Sequence, residues 1–222
     1  MYLSSDFRDF YDHWFESNGD VGLERTNQGV LSKIEALDLL VSLGIPTVEY
    51  GNAEFARSLQ DEFVLVITNP YGHAGLSFMK IDRTDAMLHN FGDAFIRYYE
   101  DALPYTIRAL YIGDSAYHLV IRNGKHYKSN VDTESIFYDD FDMPKLLSRF
   151  SLGALGTQFP LYAVDFIELS DGRLLACDLN TSPGMRHTPL RDMIPPVEVA
   201  TKIQEAVARI GEGPTIINGP RV

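Results

Sequence analysis

The feature that most constrains this chain is its last pair of apolar runs. Leu161–Leu169 and Leu174–Asn180 flank Ser170-Asp171-Gly172-Arg173, a turn signal, so they predict an antiparallel hairpin. A two-residue or four-residue turn centred on Asp171-Gly172 sets Asp165 opposite Asp178 and Ala163 opposite Asn180. Strand alternation then places Asp165, Ala176, Asp178 and Asn180 on one face, with Phe166, Cys177 and Leu179 on the other. Like charges facing each other across a ladder destabilise it unless solvent or a cation lies between them. Two carboxylates and an amide oxygen are hard ligands that suit Mg²⁺, an ion that keeps waters and shares its remaining positions with substrate phosphates. The competing explanation is a solvated acidic patch on an exposed sheet face, and a one-residue bulge would break the register.

Charge narrows the partners. Nineteen basic and 31 acidic residues give a net charge of −12 over 222 residues, and no Lys/Arg cluster supplies a basic face. Nucleic acid is therefore not expected as a ligand. A small anion would need a few placed cations or a divalent metal, so the positions of the few Arg and Lys residues carry information. No apolar run approaches the roughly 20 residues of a bilayer span, and no signal-like pattern opens the chain. The single cysteine, Cys177, excludes an internal disulfide and suits a reducing, cytoplasmic compartment.

Elsewhere the texture alternates. Ser4–Glu16 places Phe7, Phe10, Tyr11, Trp14 and Phe15 on one helical stripe; core packing explains it, and an interface between copies of the chain is the alternative. A second helix is expected over Leu31–Leu43, with Ser32 and Glu35 at capping-box spacing and Gly44-Ile45-Pro46 ending it. Phe63–Thr68 and Leu76–Ile81 read as strands joined by a glycine-bearing loop, Thr84–Tyr99 as a helix, and Tyr105–Ile112 and Ala116–Arg122 as a hairpin through Gly113-Asp114. Pro144–Leu155 and Val197–Ile210 read as further helices. Hairpins interleaved with helices argue an α+β fold with antiparallel sheets in two lobes: N-terminal helices over 1–45, a small lobe over 46–100 and a large lobe over 101–222.

With these residues in view, Tyr162-Ala-Val-Asp165-Phe-Ile followed by Asp178-Leu-Asn180-Thr-Ser-Pro183-Gly184 resembles the metal-binding hairpin of the ATP-grasp superfamily. Chain order agrees: the helix from Lys33 to Gly44-Ile45-Pro46 is similar to the family's entry helix, and Asn69-Pro70…Gly72…Gly75 to its phosphate loop. Tyr105-Thr-Ile-Arg108 and Arg122…Asn130 resemble segments of the glutathione-synthetase-like and D-alanine:D-alanine-ligase-like members. The resemblance implies an ATP- and Mg²⁺-dependent carboxylate–amine ligase, acting through an acyl-phosphate on a small carboxylate and an amine or peptide. A degenerate nucleotide- or partner-binding protein and an ATP-grasp-like kinase are the alternatives. It also implies roles: Asp165, Asp178 and Asn180 hold one or two Mg²⁺; Arg122, with Arg108 nearby, stabilises the transferred phosphoryl group; Lys33 reaches the ATP phosphates. Asn69, Gly72, His73, Gly75, Lys80 and Glu100 become nucleotide contacts, and Asn130, Arg186 and His187 substrate contacts. His73 and His187 have packing or solvent roles as the alternative, and Glu100 a plain surface role. Cys177, opposite the metal face in this register, is expected to be inert core.

Two departures stand out. The family's phosphate strand usually ends Lys-Pro, whereas this one ends Thr68-Asn69-Pro70, leaving Lys80 or His73 to substitute. Only about 30 residues precede Lys33, so the acceptor pocket must be built without the usual N-terminal domain. Arg108 and Arg122 share a face only if their hairpin carries an odd residue.

Overall fold

A computed structural model describes residues 31–71, 78–84, 92, 94–124, 133–137, 148–181, 183 and 196–212, with backbone alone over 117–124, 133–137, 196–197, 199–200 and 211–212. The aromatic stripe over 4–16 and its interface alternative lie outside them, as do Gly72, His73, Gly75, Asn130, Arg186 and His187.

Helix α1 (Lys33–Ser42) starts where its capping box dictates: the Ser32 hydroxyl accepts from the Glu35 N–H at 3.2 Å, and the Glu35 carboxylate accepts from the Ser32 N–H at 2.8 Å. It ends at Gly44, whose φ of 70° lies in the left-handed region. The chain then forms β1 (Tyr50–Gly51), α2 (Ala53–Ser58), β2 (Phe63–Ile67), β3 (Phe78–Asp82) and β4 (Phe95–Arg97). These strands make an antiparallel four-stranded sheet in the order β1-β4-β2-β3. The helix expected over Thr84–Tyr99 is corrected at its end: Phe95 and Ile96 are buried strand residues paired with β2, so tertiary pairing overrides the local pattern.

A second antiparallel sheet, ordered β7-β6-β5-β8-β9, comprises β5 (Ala102–Ile112), β6 (Ser115–Gly124), β7 (Thr133–Phe137), β8 (Leu161–Leu169) and β9 (Leu174–Asn180). Between β7 and β8, Leu152–Thr157 is a 3₁₀ helix, where an α-helix ending at Leu155 was expected. Gly153 and Gly156 let it lie close against the Gly113-Asp114 turn: a Cβ on Gly156 would lie 2.3 Å from the Gly113 carbonyl. Helix α3 (Pro196–Glu212) buries Ile203 and Ala206, and the Ala206 methyl approaches the Gly113 turn.

One face of the larger sheet carries Ile107, Ala109, Tyr111, Tyr162, Val164, Phe166, Leu174, Ala176 and Leu179, packed with Ala36 and Leu40 of α1 and with Leu152 and Leu155. Its other face contributes Ile167, Leu169, Leu175 and Cys177 to a cluster shared with Leu37, Val48, Leu65, Ile67, Phe78 and Ile96. That shared cluster joins the two sheets. The connection from α1 also lies along β9: Thr47 bridges Ala176, the Ala176 N–H donates to the Pro46 carbonyl at 2.8 Å, and the Val48 N–H donates to the Ala176 carbonyl at 3.0 Å.

Candidate functional site

The β8–β9 hairpin has the expected ends and an unexpected middle. Asp165 pairs with Asp178 and Ala163 with Asn180, as the sequence predicts. The turn, however, has three residues: the Leu169 N–H donates to the Arg173 carbonyl at 2.9 Å, around Ser170, Asp171 and a Gly172 with φ 82°. The odd turn shifts the register by one, so Phe166 pairs with Ala176 rather than Cys177, and a bulge at Cys177 restores it before Asp178. Two placements are thereby corrected. Ala176 belongs to the core face with Phe166, and Cys177 packs with Ile167 and Leu175 on the side of the aspartates. The Cys177 thiol donates to the Asp165 carbonyl at 3.3 Å; burial and then the two carboxylates push its pKa well above the usual thiol range. Burial thus favours the protonated thiol, at a position different from the one the simple register predicts.

Asp165 and Asp178 are each met by a cation. Arg108, directly across β5 from Asp165, donates from Nε to Oδ1 at 2.6 Å and from Nη2 to Oδ2 at 2.7 Å. Both residues are buried, at 6% and 5% exposure. Burial opposes the guanidinium charge, but Asp165 outweighs it and the Arg108 pKa is raised. Lys33, the first residue of α1, places Nζ 2.6 and 2.7 Å from the two oxygens of Asp178, in a partly exposed setting. Its backbone N–H donates to the Pro70 carbonyl at 2.9 Å, which brings the loop after β2 to the same end of the molecule. Two basic side chains thus balance two carboxylates that the sequence alone left facing each other.

The remaining expected residues divide. Asn180 lies two residues beyond Asp178 and is half-buried. Asn69 is exposed, its side-chain oxygen accepting from the Tyr71 N–H at 3.0 Å in a local turn. Lys80, opposite Leu65, holds its ammonium 3.9 and 3.8 Å from the ring centroids of Phe63 and Tyr98, a sandwich sequence reasoning did not anticipate. Glu100 is exposed in the turn before β5. In the backbone ladder Arg122 lies opposite Thr106 and Val120 opposite Arg108, and the shift between Leu110 and Tyr111 supplies the odd residue that a shared face requires. Among the described residues no group of three or more His, Cys, Asp or Glu side chains could hold a metal by itself. The donor chemistry nevertheless fits a hard divalent ion through Asp178 and Asn180, since Asp178 is the more exposed aspartate and its cation sits on a flexible stem.

No family model and no curated protein matches this chain. Among solved structures, N5-carboxyaminoimidazole synthetase from Staphylococcus aureus, complexed with ADP, aligns at TM-score 0.58 and 13% identity over 73% of this chain and 48% of its own. The ATP-grasp ligase PsnB, complexed with minimal precursor, aligns at TM-score 0.60 and 15% identity over 87% of this chain and 66% of its own. D-alanine–D-alanine ligase from Bacillus anthracis gives 0.60 and 16%, over 83% and 70%. The chain has the ATP-grasp fold. It spans about half of the N5-carboxyaminoimidazole synthetase and roughly two thirds of the two ligases. No helix among the described residues is long and apolar enough to cross a membrane.

Proposed function

We propose that this chain is an ATP- and Mg²⁺-dependent ligase that joins a carboxylate to an amine, small molecule or peptide, through an acyl-phosphate. The observation that carries the proposal is the convergence, on an ATP-grasp fold, of Asp165, Asp178, Asn180, Arg108 and Lys33 at the end of one hairpin. Phosphoryl transfer to a carboxylate asks a protein chiefly for positioning and for neutralisation of developing negative charge. Mg²⁺, when bound at this acidic end, supplies part of that neutralisation. Lys33 moves its ammonium from Asp178 to the ATP phosphates, Arg122 stabilises the transferred phosphoryl group, and the loop from Asn69 through Gly72, His73 and Gly75 lies over the phosphates. Lys80 and Glu100 line the nucleotide cleft, and Asn130, Arg186 and His187 contact the acceptor. The amine attacks the acyl carbon and phosphate leaves. Support for a peptide or amino-acid acceptor comes from the folds aligned, which include the macrocyclase MdnC bound with a precursor peptide.

Thermal melting with ATP and Mg²⁺ tests the nucleotide step. Saturation at about 100 times Kd adds roughly 2.7 kcal/mol, and Asp178→Ala is expected to lose most of that gain. No shift in the parent chain refutes the reading. Release of ADP and phosphate in the presence of amino acids or peptides is the expected catalytic outcome. The self-balanced pairs Arg108–Asp165 and Lys33–Asp178, together with Asn69 in place of a lysine before Pro70, favour one second reading, a nucleotide-binding protein without ligase activity; binding without ADP release selects it. Phosphate on a hydroxyl acceptor selects a kinase.

A further inference from the structure

We propose that Arg108 is a positioning residue that withholds Asp165 from metal, so that the site takes one divalent ion per nucleotide, held by Asp178 and Asn180; the proposal rests on the ATP- and Mg²⁺-dependent reading above. The two aspartates face each other across the ladder, yet their surroundings differ. Asp165 is 5% exposed, and both of its oxygens are engaged by Nε and Nη2 of one guanidinium. That fork is planar, set by its strand register opposite Asp165, and carries a charge no accessible pH removes. A dication on Asp165 would sit beside that charge in a poorly solvated interior, where repulsion is strong. Asp178 meets instead a lysine ammonium at the start of α1, with side-chain exposures of 15% for Lys33 and 20% for Asp178. A flexible ammonium can exchange a carboxylate for a phosphate; a buried fork cannot. Asp178 is then the one aspartate of the pair available to an ion, with the Asn180 amide two residues along the strand. Mg²⁺ sites built from one or two protein oxygens plus substrate phosphates and water are of this kind. Arg108 and Asp165 would remain paired with each other when an ion is bound.

The test counts ions rather than turnover. The full chain, loaded with a non-hydrolysable ATP analogue, is titrated with Mn²⁺ and followed by electron paramagnetic resonance, with nucleotide binding measured in parallel. The expected result is one Mn²⁺ per bound nucleotide and a spectrum free of Mn–Mn coupling. Two ions, or the coupling typical of a pair about 3.5–4 Å apart, overturn the proposal and leave the nucleotide reading intact. Nucleotide bound with no ion also overturns it, whereas failure to bind nucleotide overturns both readings together. Arg108→Gln, which removes the guanidinium charge beside Asp165, is expected to raise the count to two; a folded Arg108→Gln that stays at one refutes the role of Arg108. If that variant does not fold, the count on the parent chain decides.

Discussion

Asp165 and Asp178 illustrate how two identical side chains on one rung acquire different values. Breaking a buried ion pair by removing one partner leaves a charge stranded, at a cost of about 3–5 kcal/mol, whereas a solvent-reached pair contributes about 0–1 kcal/mol. Asp165→Ala is therefore expected to destabilise the chain by about 3–5 kcal/mol, and Lys33→Ala by no more than about 1 kcal/mol. At roughly 2–4 °C per kcal/mol for a chain of this size, calorimetry should separate the two melting points clearly. Equal losses would mean that the two pairs are alike in solvation. The partner of Asp165 was not legible in the sequence, because Arg108 lies 57 residues away and meets it only once β5 and β8 are neighbours. Lys33 and Asp178, 145 residues apart, are hidden for the same reason.

At the scale of elements, local chemistry is what the sequence announces most clearly. The capping box at Ser32 and Glu35, the Gly113-Asp114 turn between Ile112 and Ser115, and the alternating runs of β8 and β9 all form where short-range rules place them. The facing of Asp165 and Asp178 also holds, but through two offsetting one-residue irregularities: a three-residue turn and the Cys177 bulge. Ala176 and Cys177, lying between those irregularities, are where the simple alternation fails. The turn itself makes a prediction. A Cβ on Gly172 meets nothing within 4 Å, yet its φ is 82°, so Gly172→Ala costs only backbone strain, about 1–2 kcal/mol, measurable by denaturant unfolding. Tyr111 and Tyr162 stack at 5.1 Å on the core face of the same sheet, and burial raises the Tyr111 pKa to about 12 and the Tyr162 pKa further. The fold favours the neutral phenols, so their contribution to stability is complete below pH 10 and is lost only as pH rises through about 12 for Tyr111 and higher still for Tyr162. Absorbance at 295 nm should show these two ionising only in that range or with unfolding; ionisation near pH 10 in the folded chain would contradict their burial.

The whole molecule is two antiparallel sheets joined by one apolar cluster, and the α+β class with antiparallel sheets was readable from the interleaving of hairpins and helices. What the sequence could not reveal was which edges meet. β9, which carries Asp178 and Asn180, is the last strand of the larger sheet, and the stretch from Pro46 to Val48 lies along it at Ala176. An open strand edge is a template on which another chain can add its own strand. The connector that leads from α1 to the smaller sheet pairs with that edge at Ala176, so it is expected to limit the addition of another strand there. Val48→Pro removes the N–H that donates to Ala176 and should make the heated protein scatter light at lower temperature than the parent, while unchanged scattering would show that the connector does not guard the edge. A segment that looks like a mere link between two lobes thus has, in colloidal terms, a second expected role, that of a cover over part of the edge of the strand that carries the acidic residues.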